Sequence, residues 1–200
     1  MQIKDKVGIV TGAASGIGRA TAFELINQGV KAIALVDINE ESLTTLAQEI
    51  NVDIGKEVAI ACAGDVTDEA FRERVFDLVA ERYGTVQIVV PAAGIFRDRL
   101  AVKIEPESSV ANIYPVDVFR QVLEVNLIHP VYWAMEMIAR IAVDRNQRGL
   151  KKWRAEETVQ GTIIFIGSVS SQGNRGQVSY ASTKAGLEGA ASTLTKEAMF

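Results

Sequence analysis

Cysteine and histidine are nearly absent from this sequence. A single cysteine, Cys62, cannot close an intramolecular disulfide, which points to a reducing compartment. A single histidine, His129, argues against a His-rich metal site and against a Ser-His-Asp hydrolase, so no metal is expected. No apolar run reaches about 18 residues, and nothing reads as a bilayer span. Basic residues are not in excess: 21 Lys and Arg against 25 Asp and Glu give a net charge of −4. That balance offers no general attraction to nucleic-acid phosphates. Residues 1–6 are polar and lead straight into strand-like sequence without a signal-peptide pattern, so a cytoplasmic location is expected. What is present is 48% hydrophobic and 23% charged over 200 residues. That excludes a disordered tail or a collagen-like fibre and leaves room for one domain spanning 1–200.

Short β-branched runs alternate with longer helical patterns. Strands are expected over 7–11, 32–36, 58–63, 86–90 and 161–166, and helices over 16–29, 40–50, 68–83, 117–145 and from 179 to the end. The strands lack polar alternation, the mark of a parallel sheet covered on both faces. Repeated β-α-β units then give a doubly wound, Rossmann-like α/β fold in three layers. Residues 97–116, with Pro106 and Pro115, read as irregular. The most basic stretch, 145–154, reads as a solvated loop, or as a docking patch for an acidic partner.

The first strand meets the first helix through Thr11-Gly-Ala-Ala-Ser-Gly-Ile-Gly18. Gly12 permits a tight turn, Gly16 lets backbone approach a ligand, and Gly18 lets the helix lie close to the sheet. With Ser15 and Ile17 they surround a helix N-terminus, where free N–H groups and the helix dipole suit a pyrophosphate. The spacing alone is also that of an ordinary glycine-rich turn; its position between strand and helix, with an acid after the next strand, favours the dinucleotide. That acid is Asp37. A carboxylate there accepts bonds from the adenosine ribose and repels a 2′-phosphate. Neither Ser15 nor Ile38 is a cation, so NAD(H) is preferred over NADP(H). The plainer alternative makes Asp37 a cap for the next helix. Asp65 and Val66 follow the third strand, where they could meet the adenine edge. Ala92, Ala93 and Gly94 follow the fourth, where small residues let backbone run under the cofactor.

Tyr180 and Lys184 stand four apart and share a helix face. A lone phenol titrates near pH 10, and an adjacent ammonium favours the phenolate, which would let a tyrosine exchange a proton near neutrality. Ser168, at the end of the fifth strand, can hold a substrate oxygen. Asn126 interrupts an apolar helix face. Four residues on, Pro130 has no N–H, so the Asn126 carbonyl lacks its i+4 donor and can bind an ordered water leading from Lys184 to solvent.

Together these residues resemble the short-chain dehydrogenase/reductase superfamily: TGAASGIG at 11–18, Asp37, Asp65-Val66, AAG at 92–94, Asn126, Ser168 and Tyr180-Ala-Ser-Thr-Lys184. The resemblance covers essentially the whole chain. It implies nicotinamide-dependent interconversion of a secondary alcohol and a ketone, with Asn126, Ser168, Tyr180 and Lys184 as the catalytic tetrad and Lys184 also on the nicotinamide ribose. It also implies a homodimer or homotetramer built on the two long helices, 117–145 and 179–199. The stretches 93–100 and 173–180 look like those of 3-oxoacyl-(acyl-carrier-protein) reductases. A 3-oxoacyl thioester is therefore one candidate substrate and an acyl carrier protein one candidate partner, for which Arg175 or the 145–154 cluster would serve.

The sequence departs from the family in three places. Pro91-Ala92 stand where the family has asparagine side chains that tie strands together. Segments 97–116 and 145–160 are longer than in compact members. The chain also ends near the Tyr-Lys helix, so the C-terminal strands and substrate loop of the family are expected to be lacking. A cofactor-binding regulatory or partner subunit without turnover is the alternative from another class; a nucleotide-sugar epimerase or lyase is a third.

Overall fold

Apolar β-branched runs, buried on both faces, form the centre of the molecule. A computed structural model describes residues 2–150, 152–154 and 156–198. In chain order the elements are β1 (Val7–Thr11), α1 (Gly16–Asn27), β2 (Ala32–Asp37), α2 (Glu40–Ile54), β3 (Ala59–Ala63), α3 (Glu69–Tyr83), β4 (Ile88–Pro91), β5 (Val102–Ile104), β6 (Ala111–Ile113), α4 (Val116–Leu123), α5 (His129–Gln147), β7 (Thr162–Ile163) and α6 (Val178–Glu197). A π-helical turn, Glu124–Ile128, joins α4 to α5, and a 3-10 turn, Val169–Gln172, precedes α6.

Five strands form one parallel sheet in the order β3-β2-β1-β4-β7. Side-chain alternation divides the core. Val10, Ile33, Leu35, Ile88 and Val90 face Leu25 of α1 and Leu43, Leu46 and Ile50 of α2. Ile9, Ala34, Val36 and Val89 face Phe71, Val75 and Phe76 of α3 and Trp133 and Met137 of α5. The result is the three-layer, doubly wound architecture expected from the sequence. Trp133 and Phe76 are fully buried; truncating either to alanine costs about 3–5 kcal/mol. Arg140 on α5 reaches Asp77 on α3 at 2.7 Å and Glu136 at 2.8 Å, pinning the two helices together. Chain order reverses at β1 and β4, and ligands in such sheets bind beyond the strand C-termini at that switch point.

Several boundaries differ from expectation. Helix α2 runs on to Ile54 and stops at Gly55, whose φ is +72°. The fifth sheet strand is two residues long, not six. Pro91 has no N–H with which to continue its ladder, and the Ile166 carbonyl is taken by the Lys184 ammonium at 2.6 Å. Segment 97–116 is not irregular throughout: β5 and β6 pair antiparallel, with Val102 opposite Ile113 and Ile104 opposite Ala111. Three residues per strand are too few for alternation to stand out between the prolines, which fall in the hairpin turn and at the start of α4. In the basic segment, Arg145 is buried and paired with Glu157, and Arg148 lies 2.8 Å from Asp144. Lys151 of that segment, and Met199 and Phe200 of the last expected helix, lie outside the described residues. Cys62 is buried on β3, and burial raises its thiol pKa to about 11.

Candidate active site

Two turns meet at the switch point. After β1, Gly12 adopts φ +66°, and a side chain there would come within 2.7 Å of the Ala93 backbone nitrogen. A side chain at Gly18 would strike the Gly12 carbonyl. The loop is therefore folded back on α1 and pressed against the turn after β4. Thr11 supplies the tie that the missing asparagines would give: its hydroxyl, fully buried, accepts from the Ala93 N–H at 3.2 Å.

Asp37 closes the loop from the other side. One carboxylate oxygen accepts from the Ala14 N–H at 3.1 Å and the other from the Asn39 N–H at 3.0 Å. The cap of α2 is Asn39, which accepts from the Ser42 N–H, so Asp37 is not the cap. The helices differ at their starts. Asn39 caps α2 and Asp68 caps α3, each with an acid in the first turn. Helix α1 has neither: Ser15 makes no side-chain cap and the first turn holds no acid. Next to it, the space a Gly16 side chain would occupy is open. Its N–H groups thus lack the internal acceptor that α2 and α3 have, which fits an external anion. Ile17 and Ile38 are exposed beside it. Asp65 holds the Thr67 N–H and hydroxyl at 2.9 and 2.8 Å, and the Val66 carbonyl accepts from Trp133 Nε1 at 3.0 Å.

The four residues of the expected tetrad come from three elements. Tyr180 and Lys184 lie on α6, one turn apart, and Lys184 Nζ is 5.4 Å from the Tyr180 ring centroid. Lys184 is buried, and burial holds its ammonium below the usual lysine range. Ser168 opens the 3-10 turn, which packs on α6, and its hydroxyl accepts from the Ser170 N–H at 3.1 Å. That bond uses a lone pair and leaves the hydroxyl proton to donate. Asn126 sits in the π turn, which also packs on α6; the two meet where Leu127 crosses Gly186.

The sequence anticipated a break at Asn126 but not its form. The helix inserts a residue, and the His129 N–H bonds to the Glu124 carbonyl five residues back. The Asn126 side chain is 1% exposed and grips one backbone unit twice. Its Oδ1 accepts from the Ile95 N–H at 2.8 Å, and its Nδ2 donates to the Ile95 carbonyl at 2.8 Å. Spacing along the chain does not name this partner, because residues 95 and 126 meet only through the fold. Nor does it mark Phe96, whose ring centroid lies 4.6 Å from that of Tyr180, or Tyr114, whose hydroxyl joins the Arg97 carbonyl to Ser179. An aromatic just after the Ala-Ala-Gly turn was the one available signal for Phe96. His129 is buried beside the π turn, with neither ring nitrogen hydrogen-bonded. Burial lowers its pKa to about 3; the Val125 carbonyl opposes that shift without forming a well-made bond.

The short chain dehydrogenase family profile matches residues 6–199. The chain belongs to the short-chain dehydrogenase family. It is 32% identical over 198 residues to a 3-oxoacyl-(acyl-carrier-protein) reductase of Thermotoga maritima, covering 98% of this chain and 70% of that protein. It is 33% identical over 174 residues to zerumbone synthase of Zingiber zerumbet, covering 86% of this chain and 54% of that protein. The crystal structure of an NAD+-bound xylitol dehydrogenase superposes with a TM-score of 0.78 at 24% identity, over 99% of this chain and 66% of that one. That last likeness concerns the fold. As a family member the chain is an oxidoreductase of the nicotinamide-using kind. The named relatives act on different molecules, so family membership does not select the substrate. Among the described residues no helix is long and apolar enough to cross a membrane.

Proposed function

We propose that this chain forms the cofactor-binding and catalytic domain, residues 1–200, of an oxidoreductase that interconverts a secondary alcohol and a ketone with NAD(H). The observation that carries the reading is the pairing of Tyr180 with a buried Lys184 beside the sheet's switch point. The uncapped start of α1 supports a dinucleotide there. Gly12, Ser15, Gly16, Ile17 and Gly18 would hold its pyrophosphate, Asp37 the adenosine ribose, Asp65 and Val66 the adenine, and Ala92, Ala93 and Gly94 would leave room for the rest of it. Asp37, with exposed Ile38 beside it, supports NAD(H) over NADP(H): a carboxylate repels a 2′-phosphate and no cation at 38 offsets it.

Bound nicotinamide supplies or accepts the hydride. The chain handles the proton. In the reducing direction Tyr180 gives its phenol proton to the carbonyl oxygen as that oxygen gains charge. Lys184 stabilises the phenolate left behind and would hold the nicotinamide ribose. Ser168 donates its hydroxyl proton to the same substrate oxygen and fixes its position. The Asn126 carbonyl, deprived of an i+4 donor by Pro130, holds the water through which a proton returns by way of Lys184. Similarity to a 3-oxoacyl-(acyl-carrier-protein) reductase supports a 3-oxoacyl thioester as a candidate substrate and an acyl carrier protein as a candidate partner. A homodimer or homotetramer is supported by exposed Ile128, Tyr132, Met135 and Val143, which recur along one face of the π turn and α5.

Replacing Tyr180 with Phe tests the reading. Ketone-dependent NADH oxidation should vanish while NADH binding, followed by its fluorescence, is retained. Near-normal turnover in that variant would overturn it.

A further inference from the structure

Five consecutive residues, 95–99, are each tied to the π turn or to the start of α6. Ile95 is gripped by Asn126 through two bonds of 2.8 Å. The Phe96 ring lies on Tyr180 with centroids 4.6 Å apart and planes at 31°. The Arg97 carbonyl accepts from the Tyr114 hydroxyl at 2.8 Å, and that hydroxyl is 3.0 Å from the buried Ser179 hydroxyl. The Asp98 carboxylate accepts from Gln177 Nε2 at 2.7 Å. The Arg99 N–H donates to the Gly176 carbonyl at 2.8 Å. A surface loop this closely stitched to one helix end constrains what lies between its ties, and Tyr180 lies there. Its ring is bounded by Phe96 and by Lys184 Nζ.

Phe96 is nevertheless 60% exposed. A large aromatic left in water beside a polar constellation presents an apolar surface to whatever enters. We propose that Phe96 is a positioning residue for Tyr180 and the wall against which the substrate's carbon skeleton packs, so that the site selects ketones or alcohols carrying a planar or apolar group next to the reacting carbon. The substrate half of this proposal rests on the oxidoreductase reading above; the positioning half does not. Stacking fixes the phenol's plane, and Asn126 fixes Phe96 through the Ile95 backbone. The side chain of Asn126 thus acts on Tyr180 from a distance.

The test uses Phe96→Ala, Phe96→Leu and Phe96→Trp in the full chain, with two readouts. The first needs no substrate: nitration of Tyr180 by tetranitromethane, followed by peptide mass spectrometry, with Tyr83 and Tyr132 as internal references. Removing the ring should speed nitration of Tyr180 about three- to tenfold, the factor an aromatic pair is worth, while Trp restores the slow rate and Leu falls between. A Tyr180 rate unchanged in both Ala and Leu variants overturns the positioning role. The second readout compares aryl and small alkyl ketones with NADH. Phe96→Ala should raise KM for the aryl ketone by about tenfold more than for the alkyl ketone, and lower kcat on both. An equal KM change on the two overturns the substrate role. Wild-type protein that reduces neither ketone overturns the substrate half, while nitration responding as described keeps the positioning half; failure on a 3-oxoacyl thioester as well counts against the oxidoreductase reading.

Discussion

Truncating Asn126 to alanine should destabilise the protein by about 2 kcal/mol, and the figure follows from its contacts. The side chain is 1% exposed and makes two bonds of 2.8 Å to the backbone of one residue, Ile95. Alanine leaves the Ile95 N–H and carbonyl without partners, and each buried orphan costs about 1–3 kcal/mol. Ile95 is itself half-buried, so water recovers part of that loss and the lower end applies, about 2.5 kcal/mol for the pair. Alanine returns about 0.5 kcal/mol through better helix propensity. Urea unfolding followed by fluorescence of the two tryptophans reads the difference, as a midpoint shift of about 1 M. Asn126→Asp separates the bonds. It keeps an acceptor for the Ile95 N–H but sets an oxygen against the Ile95 carbonyl, so at neutral pH it should be at least as damaging as alanine. Relative to wild type its deficit should shrink as pH falls and the carboxyl regains a proton to donate. An alanine variant within about 0.5 kcal/mol of wild type refutes the reasoning, because it would mean that water satisfies the Ile95 unit in full.

Other predictions follow from the same geometry. The folded His129 ring stays neutral down to about pH 3, whereas the unfolded ring takes a proton near its ordinary value. Stability therefore falls as pH drops through that window, by about 2 kcal/mol between pH 7.5 and 5 from this residue. Denaturation curves of wild type and His129→Phe should diverge by that amount, and parallel curves would contradict it. Ile38→Arg leaves the Asp37 bonds to Ala14 and Asn39 in place while offering a cation to a 2′-phosphate. It should move the NADP(H)-to-NAD(H) ratio of kcat/KM upward by about tenfold or more, the worth of one charge-assisted bond. Met135→Glu puts a charge in the exposed apolar stripe of α5 and should shift light-scattering mass toward the monomer. An unchanged mass would place the subunit interface elsewhere.

Much of this protein is written locally. Strand runs without polar alternation, as in Val7–Thr11 and Ala32–Asp37, can only be buried on both faces, and that dictates a covered parallel sheet. The glycines at 12 and 18 declare a turn that must pack on its neighbours, and Tyr180 and Lys184 declare a shared face, because both statements concern residues within one or two turns of chain. The sequence also located the defect at Pro130, since a missing N–H is a covalent fact. How the chain absorbs the defect is not: it takes a π turn, in which Asn126 meets Ile95, 31 residues away. Pro91 cutting short the last strand, Thr11 standing in for absent asparagines, and Phe96 coming to rest on Tyr180 all depend on which segments the sheet brings side by side. Spacing along the chain specifies faces and ends; partners across the chain exist only once the layers have closed.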